Sequence, residues 1–293
     1  MPAFLSRTIL QTAPNEERRS ARERRAPHRL YREILVGGIR TACLSRSQLT
    51  TLMVGDCLAA RGGKRRPKLV FASNGHAIAL AATDLQFRQY FEAANLIHAD
   101  GQPVVLASKL LTRHPIPERS ATTDFIHDAA QAGAAHGLRF FLLGGRETVN
   151  AQCSALLSRR YPPLQIAGRR NGYFRDNDEA AICEAINQSK ADVLWVGLGV
   201  PLEYEFCLHN RNRLNVGWIV TCGGCFNFVT SEYARAPVWM QARGLEWLHR
   251  LLREPRRLFW RYAITNPLAL FALLTRTASS LPQGRTAIQQ VKP

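Results

Sequence analysis

The sequence predicts an α/β fold with a doubly wound, mostly parallel sheet and a basic helical segment appended near its C-terminal end. Three observations carry that prediction. Five short apolar runs each stop at glycine or a short polar residue, most of them lead directly into a stretch with helical spacing, and arginine gathers late in the chain among leucines and aromatic residues. At 293 residues, 46% hydrophobic and 21% charged, the chain is long enough to bury a sizeable core.

Residues 1–31 hold little apolar periodicity and many arginines, which predicts a flexible basic tail. A core over 32–234 follows. Residues 33–36 and 39–44 flank Gly37-Gly38 and read as a hairpin, and Ser45 or Ser47 then caps a helix reaching about Arg61. The recurring strand-turn-helix unit begins at residues 68–72, with Ser73-Asn74-Gly75 as its turn and a helix over 76–94 broken near Asp84. Residues 96–99 form the second strand, stopping at Asp100-Gly101 before a helix over 103–111. Residues 140–143 lead into Gly144-Gly145 and a helix to Arg160. Residues 192–196 precede Gly197-Leu198-Gly199-Val200-Pro201, and residues 218–221 precede Gly223-Gly224. A helical appendage over 235–275 and a flexible tail over 276–293 complete the reading.

The net charge of +17 is concentrated at the ends. Residues 1–32 and 235–262 carry +5 each and residues 263–293 carry +3, leaving +4 for the other 202 residues. Such charge serves a surface or ligand met by those ends. The seven cysteines are odd in number and lie mostly inside apolar runs, as expected of reduced thiols in the cytoplasm; Cys222-Gly-Gly-Cys225 has redox or metal spacing, but no second pair completes a site. The N-terminus lacks a signal peptide's apolar core, and no run of 18 apolar residues predicts a membrane span.

Asp100 is the first candidate for chemistry. In an open α/β sheet, ligands occupy the crevice outside the carboxyl ends of the strands, where this acid stands; the competing reading is that it caps the helix that follows. Glycines at the other strand ends, Gly144, Gly145 and Gly199 among them, let backbone amides approach an anion, of which a nucleotide's phosphate is the usual case. A nicotinamide cofactor is not predicted, because Gly197-Leu198-Gly199 lacks the third glycine of that fingerprint. Asp176-Asn177-Asp178 looks like a metal-binding acid pair, yet it precedes a helix, so Asp178 is read as a cap and no metal is expected.

The segment 235–262 is unusual. Leu245, Leu248, Leu251 and Leu252 recur at helical spacing, Arg243, Arg250 and Arg253 take the other faces, and Pro255 ends the helix. Beyond it Arg256, Arg257 and Arg261 interleave with Leu258, Phe259, Trp260 and Tyr262, which fits an anionic membrane interface. Nucleic acid is the competing partner, but no reader motif supports it.

From about Ile34 to Tyr262 the chain resembles the bacterial WecG/TagA/CpsF glycosyltransferases. The likeness is carried by Asn74, Ala99-Asp100-Gly101, Glu118-Arg119, Leu143-Gly144-Gly145, Tyr161-Pro162, Gly172-Tyr173-Phe174, Gly197-Leu198-Gly199-Val200-Pro201, Gly223-Gly224, Arg235-Ala236-Pro237, Leu245-Glu246-Trp247, and Glu254-Pro255-Arg256 through Arg261-Tyr262. The resemblance implies a Rossmann-like core and transfer of an N-acetylmannosaminyl-type or hexosyl group from a UDP-sugar to a polyprenyl-diphosphate-linked saccharide. It implies inversion without metal or other cofactor, at the inner face of the cell membrane, with a homo-oligomer compatible with the family. Asp100 then matches the general base, Asn74 lies near the sugar nucleotide, and Arg119 contacts the donor. Tyr173 and Asn227 are further candidate donor contacts, with Arg256, Arg257 and Arg261 for the diphosphate. The chain departs from the family at Pro201-Leu202-Glu203-Tyr204, where Pro-Lys-Gln-Glu is usual, at Asn227, where aspartate is common, and at Ser231, where glycine is. Those departures bear on the donor sugar and fit an exopolysaccharide pathway. The competing class is a non-catalytic protein that binds nucleotide or nucleic acid through its basic termini.

Overall fold

The computed structural model describes residues 31–63 and 66–281, so the basic tail expected before residue 32 lies outside the described residues except for Tyr31. β1 (Glu33–Val36) and β2 (Ile39–Ala42) form the expected antiparallel hairpin, with Gly37 and Gly38 both at positive φ in the turn. Ser45 caps α1 (Arg46–Ala60), its hydroxyl accepting from Gln48 N while the Gln48 side chain accepts from Ser45 N, a complete capping box.

The remaining strands make one six-stranded, wholly parallel sheet in the order β4-β3-β8-β7-β5-β6. These are β3 (Lys68–Ser73), β4 (Leu96–Ala99), β5 (Arg139–Gly144), β6 (Gln165–Arg170), β7 (Val193–Gly197) and β8 (Trp218–Thr221). Five match the apolar runs read from the sequence. β6 does not: it is an edge strand with no buried residue, and its Gln-Ile-Ala-Gly-Arg-Arg has neither an apolar run nor alternation. Helices intervene as α2 (Gly75–Thr83), α3 (Leu85–Ala93), α4 (Gln102–Leu111), α5 (Thr122–Ala135), α6 (Glu147–Arg160), α7 (Glu179–Gln188) and α8 (Leu202–Asn210). Asp84 makes the break between α2 and α3, its carboxylate accepting from Phe87 N.

Period-two alternation divides the core. Phe71, Leu194, Val196 and Ile219 turn to one face, where they pack with Ile78, Phe87, Phe91, Ile186, Tyr204 and Phe206 from α2, α3, α7 and α8. Trp195 turns to the other face, its ring 5.6 Å from Phe125 of α5, and Trp218 donates its indole N–H to Asp56 of α1 at 2.8 Å. Helices thus cover both faces, and the sheet is doubly wound.

After β8 come α9 (Cys225–Val229), α10 (Val238–Ala242), α11 (Glu246–Arg253) and α12 (Pro255–Thr275). α11 carries the leucine spacing, yet none of its residues is buried and Leu252 is 71% exposed. α12 docks. It runs unbroken through Pro267, and its Leu258, Ala269, Ala272 and Leu273 are buried while α2 lies against it. Its opposite face presents Trp260, Ile264, Phe271 and Leu274, all more than half exposed. Residues 276–279, where a loose tail was expected, pair with the hairpin: Leu35 and Ala278 exchange both backbone hydrogen bonds, and Gly38 N donates to Arg276 O. Among the described residues no helix is long and apolar enough to cross a membrane.

Candidate functional site

All six parallel strands end at the same edge, and every candidate from the turns collects there. Asp100 follows β4 directly. Its Oδ1 accepts from Thr122 N at 2.8 Å and Thr122 Oγ1 at 3.2 Å, and its Oδ2 accepts from Asn74 Nδ2 at 3.2 Å. The carboxylate therefore caps α5, far along the chain, and not α4, which starts beside it without a side-chain cap. One oxygen is locked on the α5 N-terminus and the other is held by a single amide, an arrangement that aims Oδ2 while leaving it lone-pair capacity. Asn74 is fixed in turn, because its own Oδ1 caps α2 by accepting from Ala77 N at 3.0 Å. Arg119 donates from Nε to the Asp100 carbonyl at 2.7 Å and from Nη2 to Glu246 of α11 at 2.6 Å. It is mostly buried and ties the Asp100 turn to the appendage.

The glycine turns serve geometry more than anion binding. A Cβ at Gly144, whose φ is +133°, would run into the Gly197 backbone of the adjacent strand. Gly145 N donates to Gly197 O at 3.1 Å, and its carbonyl accepts from Gly172 N at 2.8 Å, so its amide is taken internally. Gly199 N donates to Glu203 Oε2 at 3.3 Å, and Gly223 N donates to the same oxygen at 2.9 Å. Glu203, which the sequence showed only as a departure from the family pattern, thus laces together the turns after β7 and β8.

Glu203 is 3% exposed. Burial pushes its carboxyl up to about 7, against the two amides that favour its ionised form and with the Asp100 charge that opposes it. A carboxyl that ionises at higher pH in the fold than in the unfolded chain costs stability as pH rises from about 4.5 through 7. Glu203→Gln keeps an oxygen that can accept both amides and removes the charge. Urea unfolding at pH 5 and pH 8 is expected to show wild-type stability falling by as much as ~3 kcal/mol more than that of the variant. Parallel losses in the two proteins would show that Glu203 does not set the slope.

The appendage closes over the other end of this edge. A cavity of about 350 Å³ is lined by Gly145, Arg146, Tyr173, Asn227, Tyr233, Glu254 and Arg257. It unites Gly145, Tyr173, Asn227 and Arg257 from the sequence reading and adds Arg146 and Tyr233. Glu232 accepts from Asn227 Nδ2 at 2.6 Å and pairs with Arg146, linking two of the lining residues. Arg257 pairs with Glu254 at 2.6 Å and stands 5.9 Å from the Tyr233 ring centre. Arg250 stands 5.6 Å from the Phe228 ring, itself 5.6 Å from Tyr233. Arg250 and Arg261 both act electrostatically on His76 at the start of α2. The contacts that gather cations therefore join Arg250, Arg257 and Arg261. Arg256 is exposed and lies a quarter-turn away from Arg257 on α12, outside those contacts.

One sequence reading is revised, and the reading of the cysteines as reduced thiols stands. Asp178 stands at the cap position of α7 but makes no cap bond to it; its Oδ2 accepts instead from Arg175 N at 3.1 Å. Cys222 and Cys225 are both free and buried, and burial raises both thiols, which keeps them protonated. Arg146, Glu203 and Arg250 are the residues that sequence reasoning did not single out for the site. Only Arg250 left a signal, as a cation within the late arginine segment.

Comparison with known proteins accords with this geometry. The chain is 30% identical over 193 residues, 65% of its own length and 73% of the relative's, to the N-acetylglucosaminyldiphosphoundecaprenol N-acetyl-beta-D-mannosaminyltransferase of Bacillus subtilis (strain 168). Residues 34–282 match the model of the Glycosyl transferase WecG/TagA/CpsF family, from the hairpin through α12. With the doubly wound sheet, the acid at its carboxyl edge and the basic appendage accounted for, this chain belongs to the WecG/TagA/CpsF family of glycosyl transferases.

Proposed function

We propose that this glycosyltransferase moves a sugar from a UDP-sugar to a saccharide linked to a polyprenyl diphosphate, with inversion and without a metal. The B. subtilis relative is named for an acceptor of that kind and for an N-acetylmannosaminyl donor group, which makes UDP-N-acetylhexosamines the first donors to try. The observation that carries the reading is Asp100: a carboxylate at the ligand edge of the sheet, one oxygen fixed by Thr122 and the other aimed past Asn74. The acceptor hydroxyl gives its proton to Oδ2 as its oxygen bonds to the anomeric carbon, and the bond from that carbon to the nucleotide phosphate breaks. Arg257 and Arg261 offset the negative charge on the departing diphosphate, the task that an ion would otherwise perform. Arg119 serves by holding the Asp100 turn and α11 in register.

The protein works at the inner face of the membrane as a peripheral enzyme. The exposed Trp260, Ile264, Phe271 and Leu274 of α12 enter the interface while the neighbouring arginines meet anionic headgroups and the lipid's diphosphate. Thermal unfolding supplies the test. UDP at a hundred times its Kd is expected to raise stability by about 2.7 kcal/mol, whereas an oligonucleotide gives no comparable rise. Incubation of the protected protein with UDP-sugars and a short-chain prenyl diphosphate carrying N-acetylglucosamine should then yield a disaccharide. Protection by the oligonucleotide alone, with no product, would favour nucleic-acid binding instead.

A further inference from the structure

Three surface elements, one from the core and two from the appendage, adjoin one another beside the Asp100 turn. α4 begins at Gln102, two residues after Asp100, and its Leu106 and Leu110 stand four residues apart on one outward face. Leu110 is 81% exposed and Val238 of α10 is 80% exposed, the two barest large apolar side chains among the described residues. The start of α4 meets the turn after α10, where a Cβ on Gly244 would lie 3.5 Å from the Pro103 ring. α4 also touches α12, and its far end is tied to the segment beyond α12 by Arg113 N, which donates to Ser279 Oγ at 2.8 Å. Val238 and Trp239 of α10, Leu106 and Leu110 of α4, and Phe271 and Leu274 of α12 are thus bare apolar side chains on adjoining elements.

Single exposed leucines are ordinary; their company is what decides here. Residues 102–116, 233–245 and 255–281 contain no aspartate or glutamate. Lys109 and Arg113 flank the α4 leucines, both exposed, and Arg243 stands 5.8 Å from the Trp239 ring centre. Apolar side chains set among cations and no acids match an anionic lipid surface, whose headgroups meet the cations and whose acyl boundary takes the leucines. We propose that the outer stripe of α4 is a membrane-contacting surface which, with α10 and α12, seats the Asp100 edge against anionic lipid. This rests on the peripheral reading above and carries it from the appendage into the core. Only Gly101 separates Asp100 from α4, and Leu106 lies ~6 Å along the helix from Gln102, so contact at Leu106 and Leu110 sets how far the carboxylate stands from the headgroups. An acceptor held by its lipid at the bilayer surface then meets the base at a fixed height.

Sedimentation of the full chain with phosphatidylglycerol vesicles tests this. Leu106→Ser with Leu110→Ser is expected to weaken partitioning about tenfold or more, whereas Leu110→Trp, which keeps an interfacial side chain, holds it near the wild-type level. Lys109→Gln and Arg113→Gln should each cost about fivefold on phosphatidylglycerol and nothing on phosphatidylcholine. The melting curves should stay close to wild type, since these side chains face solvent. Partitioning within twofold of wild type in the folded Leu106→Ser/Leu110→Ser protein overturns the role of α4; if Trp260→Ser with Phe271→Ser still detaches the protein, the peripheral reading through α12 stands. A double variant that turns a dimer into a monomer and leaves vesicle binding unchanged would make the stripe a contact between two copies, and the proposal fails. Wild-type protein that stays off phosphatidylglycerol vesicles at low salt overturns both readings.

Discussion

Replacing Arg257 and Arg261 together by glutamine is expected to slow sugar transfer by a hundredfold or more while the fold survives. Each guanidinium that meets a diphosphate contributes about 1.5–3 kcal/mol as a charge-assisted hydrogen bond, so losing two puts the expected effect between roughly 10² and 10⁴. Both side chains are exposed and stand four residues apart on one face of α12, and Arg257 has only an exposed pair with Glu254 to lose. The midpoint of unfolding should therefore move by no more than a few degrees. Deleting α12 would be a poorer experiment. Leu258, Ala269, Ala272 and Leu273 are part of the packed interior, and without them the start of α2, where Gly75 faces Ala269, would be stripped. A steady-state assay at saturating donor, with the melting curve beside it, separates the two losses. Transfer within a few-fold of wild type would take the arginines out of the chemistry.

Asp100→Asn is the second large effect. Asparagine can keep an oxygen on Thr122 N, so the α5 cap survives, while the hydrogen bond from Asn74 Nδ2 is lost because two amide donors then face each other. It has no basicity, and the acceptor hydroxyl must then lose its proton unaided; positioned general bases contribute 10² to 10⁴ in rate. UDP affinity should stay within about threefold of wild type, because the lost charge belongs to the proton-transfer step. Removing Thr122's contribution instead, by Thr122→Val, would leave the base in place with one fewer anchor, and a smaller loss is the natural contrast.

Much of the scaffold was legible because parallel, doubly covered strands are continuous apolar runs ended by turn residues; Val193–Gly197 is buried throughout and reads as such. β6 escaped because an exposed edge strand has no such constraint. Proline removes a backbone donor, yet α12 continues through Pro267 because burial of Ala269, Ala272 and Leu273 on the core outweighs the lost bond. The site was legible where one residue does one thing. Asp100 and Asn74 stand at the strand ends that the sequence marked, although Asp100 caps α5 and not the helix beside it. Glu203 was not legible as a structural link, since its environment is assembled from distant elements: amides of two turns meet its carboxylate. Ser231 is an intermediate case. It sits at φ +62°, a left-handed conformation that explains why glycine is usual in the family and that costs a serine roughly 1–2 kcal/mol.

Single-turnover transfer with donor pre-bound, comparing wild type with Asp100→Asn at equal nucleotide occupancy, tests the central claim most directly. A rate lower by 10² or more at unchanged UDP affinity is the predicted result. A rate within tenfold of wild type would mean that another group, or water, takes the acceptor's proton and that Asp100 merely anchors the start of α5.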